Sequence, residues 1–169
     1  MSVDHEHYRV KKYRCPISGI VTLERWENTK GELHNPDGPA LVARDQSSGH
    51  TTSIRYAIDG HYHRPNGEPA QLEFDPQSGA CIHRSFFING MPARPDGLPH
   101  IEWVDPDTSI VYQAEYWDDR PEWDRPKRHR TDGPALLTFN RVSGEESGAA
   151  FYVNGRKRAN LPNPDPTPE

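Results

Sequence analysis

Apolar side chains alternate with polar ones through most of this chain. Ile54, Tyr56 and Ile58 take alternate positions, as do Tyr112, Ala114 and Tyr116, and Ala149, Phe151 and Val153. Ile82, Phe86 and Ile88 keep the same phase, and shorter stretches carry Leu72/Phe74, Ile101/Trp103 and Leu137/Phe139. A period of two places successive side chains on opposite faces of a strand, so each stretch predicts a half-buried β-strand. Asn-Gly, Asp-Gly and Ser-Gly pairs punctuate the stretches, and such pairs supply the positive φ angles of tight hairpin turns. No helical spacing persists over a useful length, and Pro121 and Pro126 interrupt the segment 120–128.

The punctuation is periodic. His34-Asn35-Pro36-Asp37-Gly38-Pro39-Ala40 returns as His63-Arg64-Pro65-Asn66-Gly67-Glu68-Pro69-Ala70, as Ala93-Arg94-Pro95-Asp96-Gly97-Leu98-Pro99-His100, and as His129-Arg130-Thr131-Asp132-Gly133-Pro134-Ala135. Downstream of each comes Gly49, Gly79, Ser109 or Gly144, then a second turn at Asp59-Gly60, Asn89-Gly90, Asp119-Arg120 or Asn154-Gly155. Ser18-Gly19 and Gly31 supply a leading half unit. A unit of about thirty residues, repeated four times, is one supersecondary element that stacks on its neighbours. The expected fold is all-β: about nine antiparallel strands in a meander, with one apolar and one wet face. The apolar phase slips by one residue in the second unit, where Glu68 is inserted, and a bulge is the expected remedy. The expected organisation is an N-terminal segment 1–17, a repeat domain 18–155 with an insertion at 118–128, and a proline-rich tail 156–169.

Composition narrows this picture. Only 33% of the 169 residues are hydrophobic, glycine not included, and 27% are charged, against about 45–50% apolar counting glycine in an ordinary globule, so a thin sheet is expected in place of a thick core. Four Trp, seven Tyr and five Phe at regular spacings exclude a disordered chain. The net charge of -5 disfavours nucleic acid as a partner and permits an acidic patch facing a basic one. No apolar run is long enough to span a bilayer and residues 1–10 carry no signal-peptide pattern, so a cytoplasmic location is expected. Cys15 and Cys81 occupy unrelated repeat positions and read as free thiols.

The Trp/Tyr/Phe-x-x-Asn-Gly-x-x-His-Arg-x-Asp-Gly-Pro-Ala pattern, running from about Ser18 to Gly155, resembles the MORN-like hairpin repeats of bacterial and phage proteins. That resemblance implies an elongated, curled or twisted sheet. Some proteins of this loose group are labelled antitoxins or immunity proteins. The matching residues build turns and the shared apolar face, so they do not by themselves assign a function.

Candidate chemistry is sparse. His34, His63 and His129 share one repeat position and are assigned a side-chain hydrogen bond to a turn backbone. His61 and His63 form an isolated pair without the second cluster that zinc sites carry, so no metal or other cofactor is expected. Asp37, Asp96 and Asp132 share their position with Asn66, which replaces a turn former but not a catalytic carboxylate. No nucleophile elbow or phosphate loop occurs, and an enzyme is not expected.

The exceptions to the repeat carry the functional expectation. The third unit lacks the His at Ala93, the Gly at Ser109 and the Asn-Gly at Asp119-Arg120. Its insertion offers Trp117, Asp118, Asp119, Arg120, Glu122, Trp123, Asp124 and Arg125 as partner-binding residues, because Trp and Arg are frequent interface anchors. An apolar sheet face with no helix to cover it calls for curling, self-association (a homodimer) or a partner. The leading expectation is a protein that binds and neutralises a toxin, nuclease or defence enzyme by occlusion, with acidic residues meeting a basic site. A self-assembling scaffold, a metal-binding protein and a single-stranded nucleic-acid binder remain as alternatives.

Overall fold

The computed structural model describes residues 8–118 and 125–159. Strands β1 (Arg9–Arg14) and β2 (Val21–Glu27) lead into β3 (Leu41–Arg44) and β4 (Thr51–Arg55), followed by a small hairpin of β5 (Ala57–Ile58) and β6 (His61–Tyr62). The set recurs as β7 (Gln71–Phe74) and β8 (Cys81–Ser85) with hairpin β9 (Phe87–Ile88) and β10 (Met91–Pro92). It recurs again as β11 (Ile101–Val104) and β12 (Val111–Glu115) with hairpin β13 (Trp117–Asp118) and β14 (Lys127–Arg128). Strands β15 (Leu136–Phe139), β16 (Glu146–Val153) and β17 (Arg156–Arg158) complete the chain.

The longer strands form one antiparallel sheet in the order β1-β2-β3-β4-β7-β8-β11-β12-β15-β16-β17, an open meander. It has eleven strands where about nine are expected. Both additions lie outside the expected repeat boundaries: β1 pairs residue by residue with β2, and β17 with β16. Among the described residues there is no α-helix, and none is long and apolar enough to cross a membrane.

Each longer strand pair is joined by the same loop. Asp45 Oδ1 accepts the N–H groups of Ser47 and Ser48 and the Ser48 hydroxyl, while Gly49, at φ 75°, donates its N–H to the Asp45 carbonyl. Asp75 does the same with Gln77 and Ser78, and Asp105 with Asp107 and Thr108. Asn140 serves Val142 and Ser143 in the fourth unit. The register slips beside each loop, at Ala43/Arg44, Glu73/Phe74, Trp103/Val104 and Thr138/Phe139. Successive loops are laced together: Ser18 Oγ donates to the Gln46 carbonyl, and Thr108 Oγ1 to that of Arg141, both at 2.7 Å.

The bulge expected at Glu68 is absent. Ala70 N–H bonds the Ser85 carbonyl just as Ala40 N–H bonds that of Arg55 and Ala135 N–H that of Ala150, so the ladder does not slip there. The extra residue is taken up in the turn, where Asn66 and Gly67 adopt φ of 63° and 70°. Leu98 is accommodated in the same way by Asp96 and Gly97. Gly38 and Gly133 precede proline directly, which favours extended backbone, and neither is left-handed.

A consequence of the preserved ladder is that the third unit, not the second, is out of phase. Cross-strand partners share a face, and the row Val42-Ile54-Leu72-Arg84-Glu102-Ala114-Leu137 places Glu102 among the apolar residues. Ile101 and Trp103 therefore lie on the opposite face, where Trp103 packs against His83 at 4.4 Å between ring centroids. Glu102, almost buried, is held by Arg84 at 3.1 Å and by Arg94.

The buried apolar residues among those described are mainly alanines (Ala40, Ala57, Ala70, Ala114, Ala135), joined by Phe86 and Val104, as suits a single layer. The large rings on the apolar face are covered by the chain's own arginines. The guanidinium carbons of Arg64, Arg94 and Arg130 sit 3.9, 3.8 and 3.9 Å from the centroids of Tyr56, Phe86 and Tyr116, and that of Arg141 sits 3.7 Å from Tyr112. A guanidinium stacked on a ring attracts its π-face while keeping its own edge hydrated. Thus the Arg that opens each unit roofs the aromatic residue of the unit before it, and much of the cover required by the apolar face is intramolecular.

Candidate partner-binding surface

The small hairpins form a second row below the longer strands. Their turns are tight because Asp59-Gly60, Asn89-Gly90 and Asn154-Gly155 all hold positive φ, between 46° and 80°. Each turn glycine donates its N–H to the preceding hairpin: Gly60 to Leu33, Gly90 to Tyr62, Gly155 to Arg128. At Gly90 a Cβ would stand 3.1 Å from His61 Nδ1, so close approach as well as φ selects glycine there.

The repeated histidine serves this row. His34 Nδ1 accepts the Asp59 N–H at 3.1 Å, His63 that of Asn89 at 3.3 Å, and His129 that of Asn154 at 3.0 Å. The bond to a turn backbone expected from sequence is therefore present, and it reaches the second turn of the same unit, which ties each hairpin to the one before it. Ala93 cannot make this bond, and the hairpin it would cap is the one carrying the insertion. There His100 Nδ1 accepts the Trp117 N–H instead, at 3.0 Å. Burial, and then the nearby Arg94 charge, lower the His100 pKa and favour the neutral ring that such an acceptor requires.

The third hairpin is built around Glu115, which is 3% exposed. Its carboxylate receives Arg128 through Nε and Nη2, both at 2.9 Å, Trp117 Nε1 at 2.7 Å and Gln113 Nε2 at 2.6 Å. Burial pushes this carboxyl up, but the Arg128, Trp117 and Gln113 contacts outweigh it and hold the pKa below the ordinary glutamate value. Glu115 therefore remains a charged anchor, and Trp117 and Arg128, direct partners across the hairpin, are fixed on it. Tyr152, which follows the aromatic position of the fourth unit, lies beside them with its ring centroid 5.6 Å from the Arg128 guanidinium carbon. Together with Arg125 and Lys127 these side chains line an open groove of about 410 Å³.

Of the residues expected to bind a partner, Trp117 and Arg125 line this groove and Asp118 pairs with Lys127 in the hairpin. Asp119, Arg120, Glu122, Trp123 and Asp124 lie outside the described residues. Glu115, Lys127, Arg128 and Tyr152 were not in the expected set. A signal for Glu115 did exist: it stands two residues before Trp117, on the same strand face, where other units have Arg55 or Ser85. Among the described residues the charged side chains lining the groove are Arg125, Lys127 and Arg128, while the acidic Asp119, Glu122 and Asp124 of the insertion lie outside them.

Among the described residues no group of three or more His, Cys, Asp or Glu side chains could hold a metal ion, and Cys15 and Cys81 are free thiols. No protein-family model, curated protein or solved structure matches the chain.

Proposed function

We propose that this protein is a non-enzymatic binding module that occludes a partner protein, such as a toxin, nuclease or bacterial defence enzyme, in the cytoplasm. The MORN-like resemblance belongs to this proposal. The observation that carries it is the third unit, where the repeat gives up its histidine cap and Asn-Gly turn and acquires a groove fixed on a buried ion pair. Repeats that serve only to stack have no need of such a departure, whereas an anchored Trp and Arg beside an open groove are frequent anchors of protein interfaces. A rigid sheet presenting one altered hairpin would bind without reorganising, which limits the entropy lost on association. The test is affinity capture from the native host with the full chain, followed by a stoichiometric inhibition assay on whatever protein is recovered. A purified chain that turns over a substrate and recovers no protein would sink the proposal.

A further inference from the structure

The charge of this molecule is unevenly distributed, and its basic part coincides with a strand edge that no described residue pairs. Residues 125–159 contain eight Lys and Arg against three Asp and Glu, whereas the rest of the chain has twelve against twenty-two. Within the basic part, Arg156, Lys157 and Arg158 form β17, the last strand of the sheet, and all three are exposed. None makes an ion pair with a described residue. The stacking of hairpins shows what the outer side of β17 is shaped to accept. Leu33, Tyr62 and Arg128, each the residue before the position shared by the three capping histidines, give their carbonyls to the next hairpin. Lys157 holds the equivalent place, and no described residue takes its carbonyl. Arg158 stands where histidine stands in three other units.

We infer that β17 and the adjoining groove form a docking edge for an acidic, extended peptide segment of the partner protein, an inference that rests on the protein-binding reading above. Main-chain bonds to an added strand give such an edge its affinity, and alternate side chains give it specificity. Cross-strand pairing puts Lys157 on the face of Tyr152, which lines the groove, and Arg156 and Arg158 on the other. An acidic strand therefore meets a cation whichever way its side chains point. Charge alone would also suit a nucleic acid, with Trp117 and Tyr152 as stacking surfaces. The backbone edge left unpaired by the described residues decides between them, since only a polypeptide can extend a sheet.

The experiment is fluorescence anisotropy with the full chain and a labelled peptide of about ten residues alternating Glu and Thr, the length of a long strand. A second peptide of equal charge carries proline at alternate positions and cannot pair as a strand, and labelled oligo-dT is the third probe. The expected result is binding of the first peptide only. Binding should weaken by at least about tenfold in R156E/K157E/R158E, whose exposed changes leave the fold intact. Equal binding of the proline peptide, preferential binding of oligo-dT, or an unchanged triple variant overturns the inference. If a host protein is captured equally by the wild type and the triple variant, this edge is rejected while the protein-binding reading stands. If the peptide binds as expected but no host protein is captured or inhibited, that reading fails while the edge keeps its specificity for acidic strands.

Discussion

The first and third units build the same strands but hold their hairpins by different means. In the first unit the hairpin turn is Asp59-Gly60, its N–H is capped by His34, and its polar-face pair is a 3.4 Å bond from Arg55 to the Tyr62 hydroxyl. In the third, the positions of Arg55 and Tyr62 are taken by Glu115 and Arg128, a bidentate pair with a nearly buried carboxylate. Local turn chemistry has been exchanged for one strong electrostatic anchor. A repeat can evidently keep its ladder while one unit changes how its hairpin is secured, and that freedom is what lets a single unit specialise.

The largest expected effect comes from breaking the anchor. Arg128→Ala leaves Glu115 buried with only Trp117 and Gln113 as donors, and loss of one partner of a buried pair costs about 3 kcal/mol. Tyr62→Phe, the matching change in the first unit, removes one weak bond and should cost less than about 0.5 kcal/mol. Urea unfolding of both variants measures the contrast. Adding Glu115→Gln to Arg128→Ala removes the orphaned charge and should recover part of the loss. If Arg128→Ala proved as mild as Tyr62→Phe, the anchor would have no energetic content.

A smaller effect is expected at the caps. His63→Ala frees the Asn89 N–H and should lower stability by about 1 kcal/mol, the net value of one intramolecular hydrogen bond. Amide exchange should show the loss of protection at Asn89 itself. Ala93→His restores the repeat residue but meets no Asn-Gly or Asp-Gly turn in the inserted hairpin, so it should add nothing. A clear gain from Ala93→His would mean that the third hairpin still offers the ordinary turn, and the contrast between units would collapse.

The strands, the turns and the histidine bonds were legible because they rest on local pattern: period-two alternation, left-handed dipeptides and a recurring residue. What was not legible depended on register across strands. Whether Glu68 and Leu98 cause a bulge or a looser turn is decided by ladder bonds of Ala70 and His100, to which the apolar pattern is blind. Reading Ile101 and Trp103 as apolar-face residues followed from counting from glycine, when the ladder shows that Leu98 shifts that count. The roofing of Tyr56, Phe86 and Tyr116 by arginines was hidden because an arginine beside a turn reads as a solvated charge. The groove was found only in part: Trp117 and Arg125 stood out by residue type, whereas Glu115 and Arg128 matter through a pairing thirteen residues apart.

The finest comparison lies between the loops at the upper edge, where three units use aspartate and the fourth uses Asn140. The Asp75 carboxyl is held below its ordinary value, first by the Ser78 backbone N–H and then by the Ser78 hydroxyl, and Asp45 and Asp105 are lowered first by Ser48 and Thr108 in the same way. A depressed native pKa means that the stabilisation is complete above the unfolded value of about 3.9 and fades as pH falls through the native one. Asn140 makes the two backbone bonds of this motif without a titrating group, so the fourth loop should be insensitive to acid in that window. Carboxyl carbon NMR should place the midpoints of Asp45, Asp75 and Asp105 below that of a free aspartate. Asp75→Asn should preserve the loop at neutral pH and remove its share of the acid sensitivity, while Asp75→Ala should weaken the loop at every pH. Midpoints at or above the free value would show that the carboxylate charge contributes nothing to the loop, and an Asn variant as damaged as the Ala variant would show that charge and not the shape of the acceptor holds it.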